Sequence, residues 1–266
     1  MAGQRMGNPA TGLKVRIKIT LAYDGGKYCG WQLQKDRPTI QGFIEDALEE
    51  ICSKQVRVHG SGRTDSGVHA LGQVAHFDPP ENRARLPWQK ALNALLPHSI
   101  RVIRSAATDQ TFHARFSALS KTYSYTLWTG PDFVYPQRRY YVWKTGPLDH
   151  GAISLAAKSL VGLHDFKSFM NTGTFVNSTW REIKEISFGT GLYPQELVIR
   201  VRAGGFLKQM ARNIVGALVL TGRKKYPPDY LEQILSGGKR ALAPATAPAR
   251  GLCLESVEYP DQCGAH

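Results

Sequence analysis

The chain predicts an α+β fold, a sheet with helices packed on one of its faces. Three observations carry this. Val15, Ile17, Ile19, Leu21 and Tyr23 alternate with Arg16, Lys18, Thr20 and Ala22, the period of a half-buried strand. Ile40, Phe43, Ile44, Ala47, Leu48 and Ile51 recur at helical spacing. The two periods then succeed one another in a similar order in each half of the chain, as an old duplication would leave them, and such an order groups helices on one side of a sheet.

Residues 1–12 are small, polar and basic and read as a flexible N-terminal arm. An N-terminal half, residues 13–110, opens with the alternating strand, ended by Asp24-Gly25-Gly26. Tyr28, Trp31, Gln32 and Gln34 follow in a loop, where exposed aromatics would suit nucleotide stacking and core packing suits them equally. Thr39 caps the first helix. Its apolar face turns inward, and Glu45, Asp46, Glu49 and Glu50 face away from any polyanion. Val56 and Val58, and then Val74 to Phe77, read as short strands flanking a glycine-rich turn. Pro87 opens a second helix with Trp88, Leu92, Leu95 and Leu96 inward, stopped at Pro97. Ile100 to Ile103 reads as a strand.

Residues 111–147 form connecting strands. Tyr123, Tyr125 and Leu127 share a strand face, on which Tyr125 reads as core and Tyr123, beside Lys121, as the better candidate for a ligand surface. Arg138, Arg139, Tyr140 and Tyr141 make a basic, aromatic segment that suits a nucleic-acid backbone or a solvated edge. The C-terminal half, residues 148–266, begins with Asp149 as N-cap of a helix through Ile153, Ala156, Ala157 and Leu160, closed by Gly162 to Phe166. Asn171 to Thr179 is a polar loop. Strands Glu182 to Phe188 and Glu196 to Arg202 follow. Gly204-Gly205-Phe206 then releases a helix, Leu207 to Leu220, ended by Gly222, with Lys208 and Arg212 on one face. Asp229 to Leu235 is a short helix stopped by Gly237-Gly238, Lys239 to Arg250 an Ala/Pro linker, and Cys253 to Tyr259 the last strand.

Charge narrows the partner. Among 266 residues, 34 lysines and arginines face 21 acids, a net charge of +13, which favours a polyanion through counterion release. An anionic membrane is the competing polyanion, but no basic amphipathic helix or lipidation signal supports it. The apolar run from Ile214 to Leu220 is too short to span a bilayer. No signal-peptide core follows the N-terminus. Cys29, Cys52, Cys253 and Cys263 show neither zinc-ligand spacing nor a disulfide framework, so a cytoplasmic protein is expected.

The chemistry centres on Val56 to Phe77. Gly60, Gly62 and Gly67 permit close backbone approach and positive φ, and a turn so built can thrust Asp65 outward with Arg63 beside it. Asp-Ser-Gly is also an ordinary turn tripeptide, so the turn alone does not establish a site. A phosphate loop at Gly60-x-Gly62 lacks the Walker lysine and Ser/Thr. A Ser61–His69–Asp65 triad would crowd all three residues onto one turn.

Four segments settle the choice: Gly62-Arg63-Thr64-Asp65-Ser66-Gly67-Val68-His69-Ala70; Phe112-His113-Ala114-Arg115-Phe116-Ser117 with Lys121-Thr122-Tyr123-Ser124-Tyr125; Gly205 to Gly216; and Ala247 to Leu252. In this order they resemble the TruA-type tRNA pseudouridine synthases over nearly the whole chain. Departures are Ser66 and Ala211, where alanine and valine are usual, and Ala249-Arg250, where proline and glutamate are usual. The resemblance implies a mixed, mostly antiparallel central sheet from two ferredoxin-like halves flanked by helices. It implies a homodimer holding tRNA across both subunits, no metal and no organic cofactor. The implied substrate is uridine at positions 38–40 of the anticodon stem and loop. Asp65, Tyr123 and Arg212 would be catalytic. Arg63, Leu252, Gly67 and Lys121 would bind substrate, Arg63 filling the space of the flipped base and Leu252 lying against uracil.

These residue types suit the reaction. Isomerisation breaks a C–N glycosidic bond and rejoins uracil through C5, with no group lost and no redox change. The base must first leave the stack, at a cost of a few kcal/mol, and the planar Arg63 cation can offset part of it. A carboxylate serves as nucleophile or base, and a guanidinium partner such as Arg212 favours its charged form in a dry pocket. A non-catalytic RNA-binding module or chaperone would share the charge and aromatics, but would not need an aspartate aimed at RNA.

Overall fold

The computed structural model describes residues 15–171, 173, 176–237 and 245–260. The expected arm of residues 1–12, part of the 171–179 loop and residues 239–244 of the expected linker lie outside them.

The elements are β1 (Arg16–Tyr23), α1 (Ile40–Cys52), β2 (His59–Gly60), β3 (His69–Phe77), α2 (Trp88–Leu95), β4 (Ile100–Thr108), β5 (Ser120–Trp128), β6 (Trp143–Lys144), α3 (His150–Lys158), β7 (Gly162–Asp165), β8 (Trp180–Thr190), β9 (Glu196–Ala203), α4 (Met210–Gly222), α5 (Tyr230–Gly237) and β10 (Leu252–Glu258). One sheet runs β4-β1-β3-β10-β5-β9-β8-β7, with β2 on β3 and β6 on β5. All pairs are antiparallel except β3 with β10 and β5 with β6. The first unit takes the order β4-β1-β3-β2 and the second β10-β5-β9-β8, both the 4-1-3-2 order of a ferredoxin-like βαββαβ unit.

The two units join at β3. Its first residues, His69 and Ala70, pair in parallel with Cys253 and Leu254 of β10. Further along, Ala75 and His76 pair with Gly60 and His59. Because β2 is only two residues long, the start of β3 is left for β10.

One continuous core runs through both units, from Ile19, Leu21, Ile44 and Leu48 to Ile199, Ile214, Leu218 and Leu254. Helix starts follow their caps. Thr39 Oγ1 accepts from Gly42 N at 3.2 Å, and Asp149 Oδ1 from Ala152 N at 3.0 Å. Among the described residues no helix is long and apolar enough to cross a membrane.

Several elements differ from expectation for identifiable reasons. Val56 and Val58 are buried but lie outside any strand: Glu45 Oε1 accepts from Val58 N, and Gln41 Nε2 donates to Val58 O, so α1 takes the backbone groups that a ladder would use. Tyr28 and Trp31 are core residues rather than exposed ones. Phe43 and Leu95, expected inward, stand at the margins of α1 and α2 and are partly exposed. Residues 162–165 form β7 instead of merely closing the preceding helix. Helix α4 begins at Met210 because Gln209 adopts a left-handed conformation, φ 60°. Lys208 therefore precedes the helix and shares no face with Arg212.

Candidate active site

The turn between β2 and β3 is held from three sides. At its start, Ser61 N donates to Val74 O, Ser61 Oγ to Gln73 Oε1 and Gln73 Nε2 to Gly62 O. Lys121 Nζ reaches across from β5 to Ser61 O at 2.5 Å. In the middle, Thr64 O accepts from Trp31 N, and Thr64 Oγ1 shares a hydrogen bond with Tyr23 OH at 2.8 Å. At its end, Ser66 Oγ and Gly67 N both donate to Tyr28 O. A Cβ on Gly30 would stand 2.6 Å from Thr64 O, so only glycine lets this supporting loop lie so close. Backbone groups of Ser61, Gly62, Thr64 and Gly67 are committed in this way, and the turn carries Arg63 and Asp65 between them.

Asp65 Oδ2 accepts from Arg212 Nη1 at 3.0 Å, joining residues 147 positions apart. Arg212 Nε donates to Ala247 O at 2.8 Å, so the guanidinium is fixed on two edges. Asp65 Oδ1 has no hydrogen-bond partner among the described residues. Arg63 is exposed, with Nε donating to Gln32 Oε1 at 2.9 Å. Gly67 has φ +78°, and a Cβ there would meet Ala249 Cβ at 3.3 Å, so the Asp65 turn and the segment preceding β10 touch.

The floor comes from β5 and β10. Leu252 is buried at the start of β10, opposite Tyr125. Tyr125 OH donates to Pro248 O at 2.7 Å, which confirms it as a core side chain. Tyr123 is buried edge-on to Phe206, ring centroids 4.9 Å apart. Its hydroxyl has no partner among the described residues, a condition a buried phenol tolerates where ligand or water completes it. Burial first, then the charges of Tyr23 and Asp65, push the Tyr123 phenol well above its usual range. It stays neutral and offers a ring face and an O–H. Burial, helped by Arg115, pulls the Lys121 ammonium down to about 8. Arg250 Nε donates to Val142 O at 3.1 Å.

The structure thus pairs Asp65 with Arg212, sets Gly67 against the segment that leads into Leu252 and brings the buried Tyr123 within reach of the Asp65 charge, with Arg63 exposed on the same turn and Lys121 bonded to its start. Sequence reasoning missed Gln73 and Phe206, and it named Gln32 in a candidate nucleotide-facing loop without its bond to Arg63. Gln73 carried a usable signal, an amide in the strand register of Ala75 and Phe77. Phe206 lies in an irregular segment where no period marks it. Among the described residues no group of three or more His, Cys, Asp or Glu side chains is arranged to hold a metal ion.

Known proteins resemble this chain over most of its length. A family model described as tRNA pseudouridine synthase matches residues 19–117 and 156–260. The chain is 51% identical over 250 residues to tRNA pseudouridine synthase A of Maridesulfovibrio salexigens, covering 94% of this chain and 92% of that one. It is 51% identical over 249 residues to the Solidesulfovibrio magneticus protein of the same name, covering 92% and 91%. With the Oleidesulfovibrio alaskensis protein of that name, identity is 44% over 271 residues, covering 93% and 98%. The first matched span carries Asp65 and the second Arg212 and Leu252, and with these matches over most of its length the chain belongs to the tRNA pseudouridine synthase family.

Proposed function

We propose that this protein isomerises uridine to pseudouridine at positions 38–40 of the tRNA anticodon stem and loop, with Asp65 as its single catalytic carboxylate. The observation that carries the proposal is the Arg212–Asp65 contact, which holds Oδ2 and leaves Oδ1 for the substrate. The net change breaks the C1′–N1 bond, forms a C1′–C5 bond, and moves one proton from C5 to solvent while N1 gains one. Asp65 starts it by attacking the sugar carbon or C6, or by taking a sugar proton. Tyr123, as a neutral phenol, packs on the uracil, and Leu252 keeps water from the detached base so that it recombines. Arg63 leaves Gln32 to fill the gap in the stack. We further propose a homodimer with tRNA lying across both subunits, tested by sedimentation with and without tRNA.

The test is tritium release from tRNA carrying C5-tritiated uridine, with the modified positions mapped afterwards. Wild type should release tritium, and Asp65→Ala should release none while binding tRNA within a few-fold of wild type. Arg63→Ala should slow release more than it weakens docking. Release by Asp65→Ala would end the proposal. Binding without release by wild type would instead favour the RNA-binding module or chaperone.

A further inference from the structure

The segment from Arg138 to Val142 is basic and aromatic and, apart from the bond that Val142 O accepts from Arg250, lies outside the site described above, yet it is fastened to the strand after the Asp65 turn and to the segment before β10. His69 follows Asp65 by four positions, and its Nε2 donates to Tyr140 O at 3.2 Å. Tyr141 OH donates to Asp24 Oδ2 at 2.8 Å, and its ring packs against His69 with centroids 5.0 Å apart. Arg138 spans the fully buried carboxylate of Glu196 with Nε and Nη2 at 2.6 and 3.2 Å. Val142 O accepts from Arg250, whose neighbour Ala249 abuts Gly67.

With 138, 141 and 142 so committed, Arg139 and Tyr140 are held outward. Tyr140 is 58% exposed. Arg139 lies over its ring at 4.4 Å and is steadied by Nη1 donating to Pro136 O at 3.0 Å. An exposed ring on a pinned backbone loses little entropy when a flat partner stacks on it. The guanidinium lying over it answers a phosphate. Unpaired nucleotides combine these two features, and base–aromatic stacking with cationic backbone contacts is how single strands are held.

Building on the tRNA reading, we infer that Arg139 and Tyr140 form a docking platform for an unpaired nucleotide next to the flipped uridine, Tyr140 taking the base face and Arg139 its phosphate. RNA is favoured over a protein partner because the exposed side chain over the ring is cationic, the whole chain is +13, and the platform is tied through His69 to the strand that follows the Asp65 turn. The backbone bond from His69 survives substitution of the Tyr140 side chain, so the platform can be removed without releasing the segment.

The experiment compares wild type, Tyr140→Ala, Tyr140→Leu, Tyr140→Phe and Arg139→Gln, using an anticodon stem-loop transcript in tritium release and in filter binding at two salt concentrations. Tyr140→Ala should raise KM and Kd roughly 5- to 100-fold, with KM rising more than kcat falls. Tyr140→Leu, which keeps apolar bulk and guards against a folding defect, should behave like Tyr140→Ala, and Tyr140→Phe should restore binding. Arg139→Gln should weaken binding and lower the salt slope by about one phosphate contact. Wild-type Kd in Tyr140→Ala and Arg139→Gln would overturn the platform, as would Tyr140→Phe binding as poorly as Tyr140→Ala. A change confined to oligomeric state would overturn it in favour of a protein contact. Failure of wild type to release tritium would strike the pseudouridylation reading instead, because binding by the platform is read separately.

Discussion

Removing either member of the Asp65–Arg212 pair strands the other, so the two losses should not add. The charges meet at 3.0 Å with side chains 29% and 14% exposed. At an effective dielectric of about 20, unit charges 4 Å apart attract by about 4 kcal/mol. Desolvation takes back much of that, leaving a net coupling of about 1–2 kcal/mol. Asp65→Ala leaves the guanidinium tied to Ala247 O but without a counter-charge, and should cost about 1–2 kcal/mol. Arg212→Ala should cost about 2–3 kcal/mol, because it also deprives Ala247 O of the Nε bond that holds the segment before β10. In urea unfolding at pH 7 the double variant should be no less stable than Arg212→Ala, within about 0.5 kcal/mol. Turnover adds a second reading. Lysine at 212 can reach Asp65 or Ala247 O but not both, and Arg212→Lys should slow tritium release about 10- to 100-fold, the equivalent of ~1.4–2.7 kcal/mol. Additive losses in the single variants, or wild-type turnover in Arg212→Lys, would refute the reasoning.

Two further outcomes test the turn's supports. Lys121, with its ammonium lowered from 10.5 to about 8 by burial, holds fewer protons in the folded protein than in the unfolded chain between those values, so its share of stability rises with pH across that window. Cys253, raised to about 12 by burial, and the buried tyrosines shift the other way. Comparison with Lys121→Met isolates the lysine: in urea unfolding, wild type should gain about 1.5 kcal/mol relative to this variant from pH 8 to 9.5, and a constant difference would contradict it. Gly30→Ala adds a 2.6 Å approach to Thr64 O to a φ of +89°, whereas Gly146→Ala at φ +73° meets nothing within 4 Å. The first should lower Tm by roughly 4–8 °C, from a cost of about 2 kcal/mol or more, and clearly more than the second; equal losses would show that the clash at Thr64 is relieved.

The elements that could be read in advance are those whose cause is local. β1 alternates cleanly and β9 does so in its second half, and α1 and α3 begin where Thr39 and Asp149 can cap them. The glycines around Asp65 marked a supported turn for the same reason. What stayed hidden depends on distant partners. No short-range pattern reveals that Glu45 and Gln41 withdraw Val58 from a strand, or that Lys121 bonds Ser61 O from sixty positions away. Arg212 is a limiting case. It lies on a helix buried over most of its surface, so periodicity could not single it out, and only its place among four matching segments did.

The meeting of Asp65 and Arg212 is a consequence of strand direction. β3 and β10 are parallel, so both begin at the same end of the sheet. The turn that precedes β3 carries Asp65, and the segment that precedes β10 carries Ala247, the acceptor that fixes Arg212, and Ala249, which touches Gly67. Had β10 run the other way, its seven residues at about 3.3 Å each would have carried that segment about 20 Å from the turn. Antiparallel pairing is the rule elsewhere in the main sheet, so the exception has to be built. It is built by stopping β2 after two residues, which frees the start of β3, and by Gly72, where any Cβ would stand 2.3 Å from Glu255 O and hold the two strands apart. The two ferredoxin-like units are therefore joined by the one strand pair whose polarity brings a carboxylate from the first beside a guanidinium from the second.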